Sequence, residues 1–409
     1  MHKTSIMNLL TINSYDCSAQ GAGGVNQVTV ALNTYFTHQC GINCYIGYFH
    51  PLTSGLEPLP EMKGRIQLNR HLDEPAFREF LLQNKIDIVQ VNYLRKENIY
   101  VMRDIYRVAH QCGAKVIHAF HMAPAFQVGV YASWDKVLYS IRHHERIGEN
   151  VKFWMYNVLK PVITPFVNRY LRPTYKMQWE SCDKLVTLSP QYIQPFMEIA
   201  GVNDASKFTS ICNELRFSQY PTPEELQNKE KTVLVLQRLS EDTKRISLSI
   251  RTWSRIEKSG LFPDWKMQVV GDGKDAAYLR DLAQRLRLKQ IEFTGHQNPY
   301  EYAKKASIFV LASATEGWPM VMAEALQMGC PAVAMNAYGA VYDVIQEGYN
   351  GHIVESGDLD AYYNAIVDLM RNDKKRQEMA RNAIESSKQY EVSHIVKKWL
   401  ALFNEIQSA

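Results

Sequence analysis

Short apolar runs alternate with helical patterns along the whole chain, and the series occurs twice. The first holds IMNLLTI, INCYIGY, IDIVQV and KVIHAF, with KLVTLS after a long interval. The second begins near residue 231 with TVLVLQ, KMQVVG, IEFTG, SIFVLAS and PAVAM. Patterns such as ISLSIRTWSRIEKS and DAAYLRDLAQRLRL fall between these strands. Buried strands separated by helices predict an α/β chain with two mostly parallel, doubly wound sheets. The polar, proline-containing stretch FSQYPTPEELQNKEK, from Phe217 to Lys231, separates the two series. It predicts an N-terminal domain over 1–216, a second domain over 217–389 and a final helix over 390–409. With 409 residues, each domain is large enough for its own core.

Composition narrows the class. Apolar residues make up 46% and charged residues 22%, as in an ordinary folded protein. The net charge of +4 does not by itself require a polyanionic partner. Seven cysteines stand at 17, 40, 44, 112, 182, 212 and 330, an odd number with no C-x-x-C pair. Neither a disulfide framework nor a zinc site is expected, and a reducing cytoplasm fits. The apolar run near the N-terminus has no small-residue cleavage site behind it and reads as a first strand. No run of about 18 apolar residues is present to span a membrane.

One segment breaks the alternation. Residues 135–176 mix aromatics with eight bases and three acids. Two readings stand: basic amphipathic helices lying on an anionic membrane surface, or solvated helices packed on the first domain.

The stretch ATEGWPMVMAEALQMGCPAVA, Ala314 to Ala334, carries the densest chemistry. Pro319 suits the first helical position, and Gly329 with Pro331 ends the helix. Glu316 then lies in the loop ahead of the helix, beside Gly317 and Trp318, and Glu324 lies more than a turn inside. The exposed N–H groups of Met320 and Val321 offer an anion site. A diphosphate there would have a carboxylate on each side, and each carboxylate would accept from a vicinal diol. That pattern describes a nucleotide sugar. The bland reading is a dipole-facing acid and a solvent-facing helical glutamate.

With the E-x7-E spacing of Glu316 and Glu324, followed by GCPAVAMNAYGAVYDVIQEGYNGHIV, the chain resembles the family 4 retaining glycosyltransferases. The resemblance is specific over about 231–360 and looser before 215. It implies the GT-B fold, two Rossmann-like domains facing each other across a cleft. It also implies that Glu316 contacts the transferred sugar and Glu324 the ribose. In LQRLSEDTKR, Arg238 and Lys244 match the cationic pair that the family assigns to the donor phosphates. Gln237 and Arg245 stand where the family has glycines. In QGAGGVNQ, Gly21, Gly23 and Gly24 precede a helix, and the resemblance turns Gly23 and Gly24 toward the donor. His121, ending KVIHAFH, matches a histidine near the transferred sugar, while His118 reads as a structural strand residue. Gly271 and Gly295 end strands and permit close approach, and the resemblance implies base contacts near His296. Asp358-x-Asp360 reads as a helix cap and first-turn acid, not a metal motif.

The expected activity is hexosyl transfer from a nucleotide-diphosphate sugar to an acceptor hydroxyl in glycan or surface-polysaccharide assembly. Retention follows from the resemblance. No metal and no cofactor are expected, because the cationic pair would neutralise the leaving diphosphate. UDP is expected ahead of GDP. The acceptor would be a glycan or a lipid-linked one, with peripheral contact at the inner face of an anionic membrane and no nucleic acid. The alternative is a non-catalytic nucleotide-sugar-binding subunit. An epimerase would require an acid/base pair that the sequence does not offer.

Overall fold

A computed structural model describes residues 6–19, 23–52, 55–92, 100–125 and 130–408. It divides into two compact units. The first holds Met1–Pro124, Arg169–Glu214 and Tyr390–Ala409, and the second holds Ala125–Asn168 and Leu215–Gln389.

The first unit is built on seven strands: β1 (Asn8–Tyr15), β2 (Asn43–His50), β3 (Gly64–Gln67), β4 (Ile88–Val91), β5 (Lys115–Phe120), β6 (Lys184–Thr187) and β7 (Phe208–Ser210). Their order is β3-β2-β1-β4-β5-β6-β7, and every pairing is parallel. The second unit has six: β8 (Glu230–Leu236), β9 (Lys266–Val270), β10 (Ile291–Gly295), β11 (Ala306–Leu311), β12 (Ala332–Met335) and β13 (Gly351–Val354). Their order is β10-β9-β8-β11-β12-β13, again all parallel. Central strands such as β4 and β11 are buried at every residue, as helices on both faces of a parallel sheet require. Both sheets therefore have the predicted doubly wound form. Strands β3, β7 and β13 were not predicted. All three are sheet edges, three or four residues long.

The order reverses between β1 and β4 in one sheet and between β8 and β11 in the other. In open parallel sheets, ligands gather at the carboxyl ends of the strands beside such a reversal.

The final helix, Val392–Ser408, buries Ile395, Trp399, Phe403 and Ile406 within the first unit. Phe403 meets Phe36 of helix Gly24–Cys40 with ring centroids 5.6 Å apart.

The basic segment departs from its expected place. The residues up to Asn168 belong to the second unit, not the first. Helices Trp134–His143 and Ile147–Val158 are followed by helix Lys160–Ser181. Lys136 forms a buried ion pair with Asp275 at 2.7 Å and lies 4.4 Å from the Tyr278 ring centroid. Asp135 pairs with Arg285 at 2.8 Å and with Arg251 at 3.1 Å. Tyr139 enters the apolar core of the second unit, 5.2 Å from Tyr278. Lys136 and Asp135 thus anchor the first helix of the insert in the second unit. No described helix is long and apolar enough to cross a membrane.

Candidate functional site

In the second unit, the loops that follow β8, β9, β10 and β11 leave the carboxyl edge of four neighbouring strands. That edge carries Arg238 and Lys244; Gly271; Gly295 and His296; and Glu316, Gly317, Trp318 and Pro319, in that order. The loops after β8 and β11 are fastened together across the reversal. Ala314 N–H donates to the Thr243 carbonyl at 2.7 Å. The buried Arg245 guanidinium donates to the carbonyls of Ala312 at 2.6 Å and Ser313 at 3.0 Å. Arg245 has φ of 46°, a left-handed conformation that glycine adopts more readily. Its three-way anchorage, completed by Ser356 Oγ at 2.9 Å, holds the loop where a glycine would otherwise be needed.

This fastening brings Lys244 Nζ to 2.6 Å from Glu316 Oε1, both side chains being mostly buried. Arg238 is exposed and makes no ion pair among the described residues. Gly271, at φ of 134°, lies under the same loop: a Cβ there would come within 2.0 Å of the Gln237 carbonyl oxygen. The Gly271 N–H donates to the Gly295 carbonyl at 2.8 Å, which sets Gly295 and the exposed His296 beside it.

The helix begins at Met320 and runs to Gln327, with Pro319 as its cap and not its first residue. The expected pair of open N–H groups is reduced to one. Met320 N–H donates to the Trp318 carbonyl at 2.9 Å. Val321 N–H has no backbone acceptor among the described residues, as is usual for an N–H of the first helical turn. Trp318 is buried.

Glu324 is fully buried, and its carboxylate is held by the Nε and Nη2 of Arg216. Burial pushes its pKa up, and the arginine opposes that push. Gln327 Nε2 donates to the Phe217 carbonyl at 2.9 Å, laying the chain around Arg216 along the helix. The bland reading of Glu324 as a solvent-facing acid is therefore excluded. Arg216 was missed by sequence reasoning, because a lone arginine at a domain boundary carries no local signal.

Two further details concern the second unit. Asp358 caps helix Leu359–Arg371, accepting from the N–H groups of Asp360 and Ala361, as its spacing predicted. A cavity of about 360 Å³ lies next to the site, lined by Tyr131, by Asn157 and Lys160 of the insert, and by Arg245, Asn336 and Glu355. The insert's part in that wall was not foreseen.

In the first unit, Gly23 has φ of 101° and caps helix Gly24–Cys40, so it takes a conformation suited to glycine. Gly24 is the first helical residue, and Gly21 lies outside the described residues. Asn26 ties this helix start to the loop after β1 by bonding both the N–H and the carbonyl of Ser18. His121 follows β5, with Nε2 at 3.3 Å from Asn92 Oδ1. That oxygen also accepts from Gln90, and Asn92 Nδ2 donates to Asn13 at 2.8 Å and Thr29 at 3.1 Å. The network fixes the Nε2–H tautomer of His121. Burial lowers its pKa to about 4, so it is a neutral imidazole at physiological pH. His118 is buried against Tyr106, Nδ1 to Oη 2.8 Å, which is a structural place.

Comparison with known proteins places this geometry. Residues 217–386 match the family described as Glycosyl transferases group 1. A protein of Haemophilus influenzae, named an uncharacterized glycosyltransferase, is 27% identical over 57% of this chain and 64% of its own. The Campylobacter jejuni enzyme named GalNAc-alpha-(1->4)-GalNAc-alpha-(1->3)-diNAcBac-PP-undecaprenol alpha-1,4-N-acetyl-D-galactosaminyltransferase is 25% identical over 60% of this chain and 66% of its own. The chain thus spans just under two thirds of both relatives. The structure of Anabaena Alr3699/HepE in complex with UDP superposes with a TM-score of 0.70 at 14% identity, covering 98% of this chain and all of that one. At that identity the likeness is one of fold, and the fold is GT-B.

Proposed function

From a chain whose residues 217–386 form a glycosyltransferase group 1 domain, we propose a family 4-type retaining glycosyltransferase that moves a hexose from a nucleotide-diphosphate sugar. The Lys244–Glu316 contact beside the start of the Met320 helix carries the reading. Without a donor, the two charges neutralise each other at 2.6 Å. An arriving diphosphate draws Lys244 and the exposed Arg238 to itself, and the Val321 N–H adds a third donor. Glu316 is then released to accept a hydroxyl of the transferred sugar. Glu324, covered and paired with Arg216 in the donor-free chain, turns from that pair toward the ribose to accept from it.

The bond between the anomeric carbon and the diphosphate oxygen breaks as the acceptor oxygen bonds to the same face. The acceptor's proton passes to the leaving phosphate oxygen. Negative charge grows on the diphosphate, and Arg238 and Lys244 stabilise it there, so the step proceeds without a divalent ion. The donor carries UDP in preference to GDP. The acceptor is a glycan, and the PP-undecaprenol in the name of the Campylobacter relative supports a lipid-linked one; this reading sets the transfer at the inner face of a membrane.

The test is incubation with a panel of UDP- and GDP-sugars in chelator, reading thermal shift and nucleotide release. One donor should raise the melting temperature and release nucleotide slowly, and Glu316→Gln should stop release. Binding without release would make the protein a non-catalytic nucleotide-sugar subunit. No shift with any donor, or full turnover by Glu316→Gln, overturns the reading.

A further inference from the structure

Among the described residues, 17 large apolar side chains are exposed, and 10 of them fall between Trp134 and Tyr170. Helix Ile147–Val158 runs on through Leu159, whose carbonyl accepts from Val162 and Ile163, into helix Lys160–Ser181. Lys152, Met155, Leu159, Val162, Phe166 and Arg169 follow each other at steps of three or four, so they share one face. Val162 is 62% exposed and Phe166 69%.

The charges are sorted by the fold. From Val151 to Trp179 the chain has five bases and no acid. Of the three acids that precede this stretch, Asp135 and Glu149 turn inward to Arg285 and Lys274, while Glu145 stays exposed between the first two helices; beyond the stretch, Glu180 pairs with Lys176. Lys152, Lys160 and Arg169 are exposed with no acid paired to them among the described residues, and they stand with the exposed apolar side chains of the run. A second copy of the chain seated there would set like charges against each other. An anionic bilayer accepts both components, apolar side chains below the headgroups and bases among them.

We propose that this face docks the protein on an anionic lipid bilayer. The proposal deepens the reading of a lipid-linked acceptor, and its test stands apart from that reading.

The full chain is floated with vesicles of phosphatidylcholine plus phosphatidylglycerol, and with vesicles of phosphatidylcholine alone. Wild type should bind the first and not the second. The Lys152→Gln/Arg169→Gln variant should bind about fivefold more weakly for each base removed. The Val162→Asn/Phe166→Asn variant should lose binding by more than about tenfold, since each removes an exposed apolar anchor. Unchanged melting temperatures show that both variants fold. Wild-type flotation that ignores lipid charge, or variants that float like wild type, overturns the proposal. So does a wild-type dimer that the variants dissociate, which would make a second copy the occupant. Nucleotide release without vesicles, read on the same proteins, should be unaffected in both variants. Vesicle binding with no release from any donor would sink the transferase reading and leave the docking surface standing.

Discussion

Lys136→Ala tests whether the insert is anchored as described. Its side chain and that of Asp275 are 6% and 4% exposed, and they pair at 2.7 Å. Removing one partner of a buried pair costs about 3–5 kcal/mol, because the remaining charge stays desolvated. Here Asp275 keeps the Glu241 N–H at 2.7 Å, and Arg146 stands at 3.8 Å, ready to move in. The lower end, about 3 kcal/mol, is therefore expected. For a unit of this size about 1 kcal/mol shifts the midpoint by roughly 2–4 °C, so the second unit should melt about 6–12 °C lower. The assay is calorimetry, because two units need not melt as one transition. Lys136→Met/Asp275→Asn, which removes both charges, should recover much of the loss. A shift of under about 2 °C for Lys136→Ala would refute the reasoning.

Arg238→Ala should lower kcat at saturating donor by roughly 10²–10³, the usual loss of one charge-stabilising donor, and steady-state kinetics will show it. Arg216→Met leaves Glu324 buried without its partner; it should cost about 3 kcal/mol in denaturant unfolding and raise the KM for donor more than it lowers kcat. Glu241 is fully buried, and burial raises its pKa from 4.5 to about 7. The folded state therefore binds a proton that the unfolded state has lost, so this contribution is present at low pH and is lost as pH rises from about 4.5 to 7. Glu241→Gln should flatten that decline in the melting temperature of the second unit. His118, lowered by burial to about 3, works in the other direction in the first unit, losing stability as pH falls below 6.5.

The central strands were legible because burial on both faces leaves a continuous apolar run. The edges β3, β7 and β13 were not, since GRIQ, FTS and GHIV are short and only half covered. Asp358 was legible as a cap because its bonds reach only two and three residues along the chain. Arg216 was not, because its partner lies 108 residues away.

The sequence by itself determined two parallel sheets, the position of the Met320 helix and the residue types around its start. All of these depend on periodicity or on contacts within a few residues. Tertiary structure alone decided that Lys244 meets Glu316, that Arg216 holds Glu324, and that the basic insert joins the second unit as far as Asn168. Each depends on which distant charges become neighbours once water is excluded, and local pattern carries no record of that.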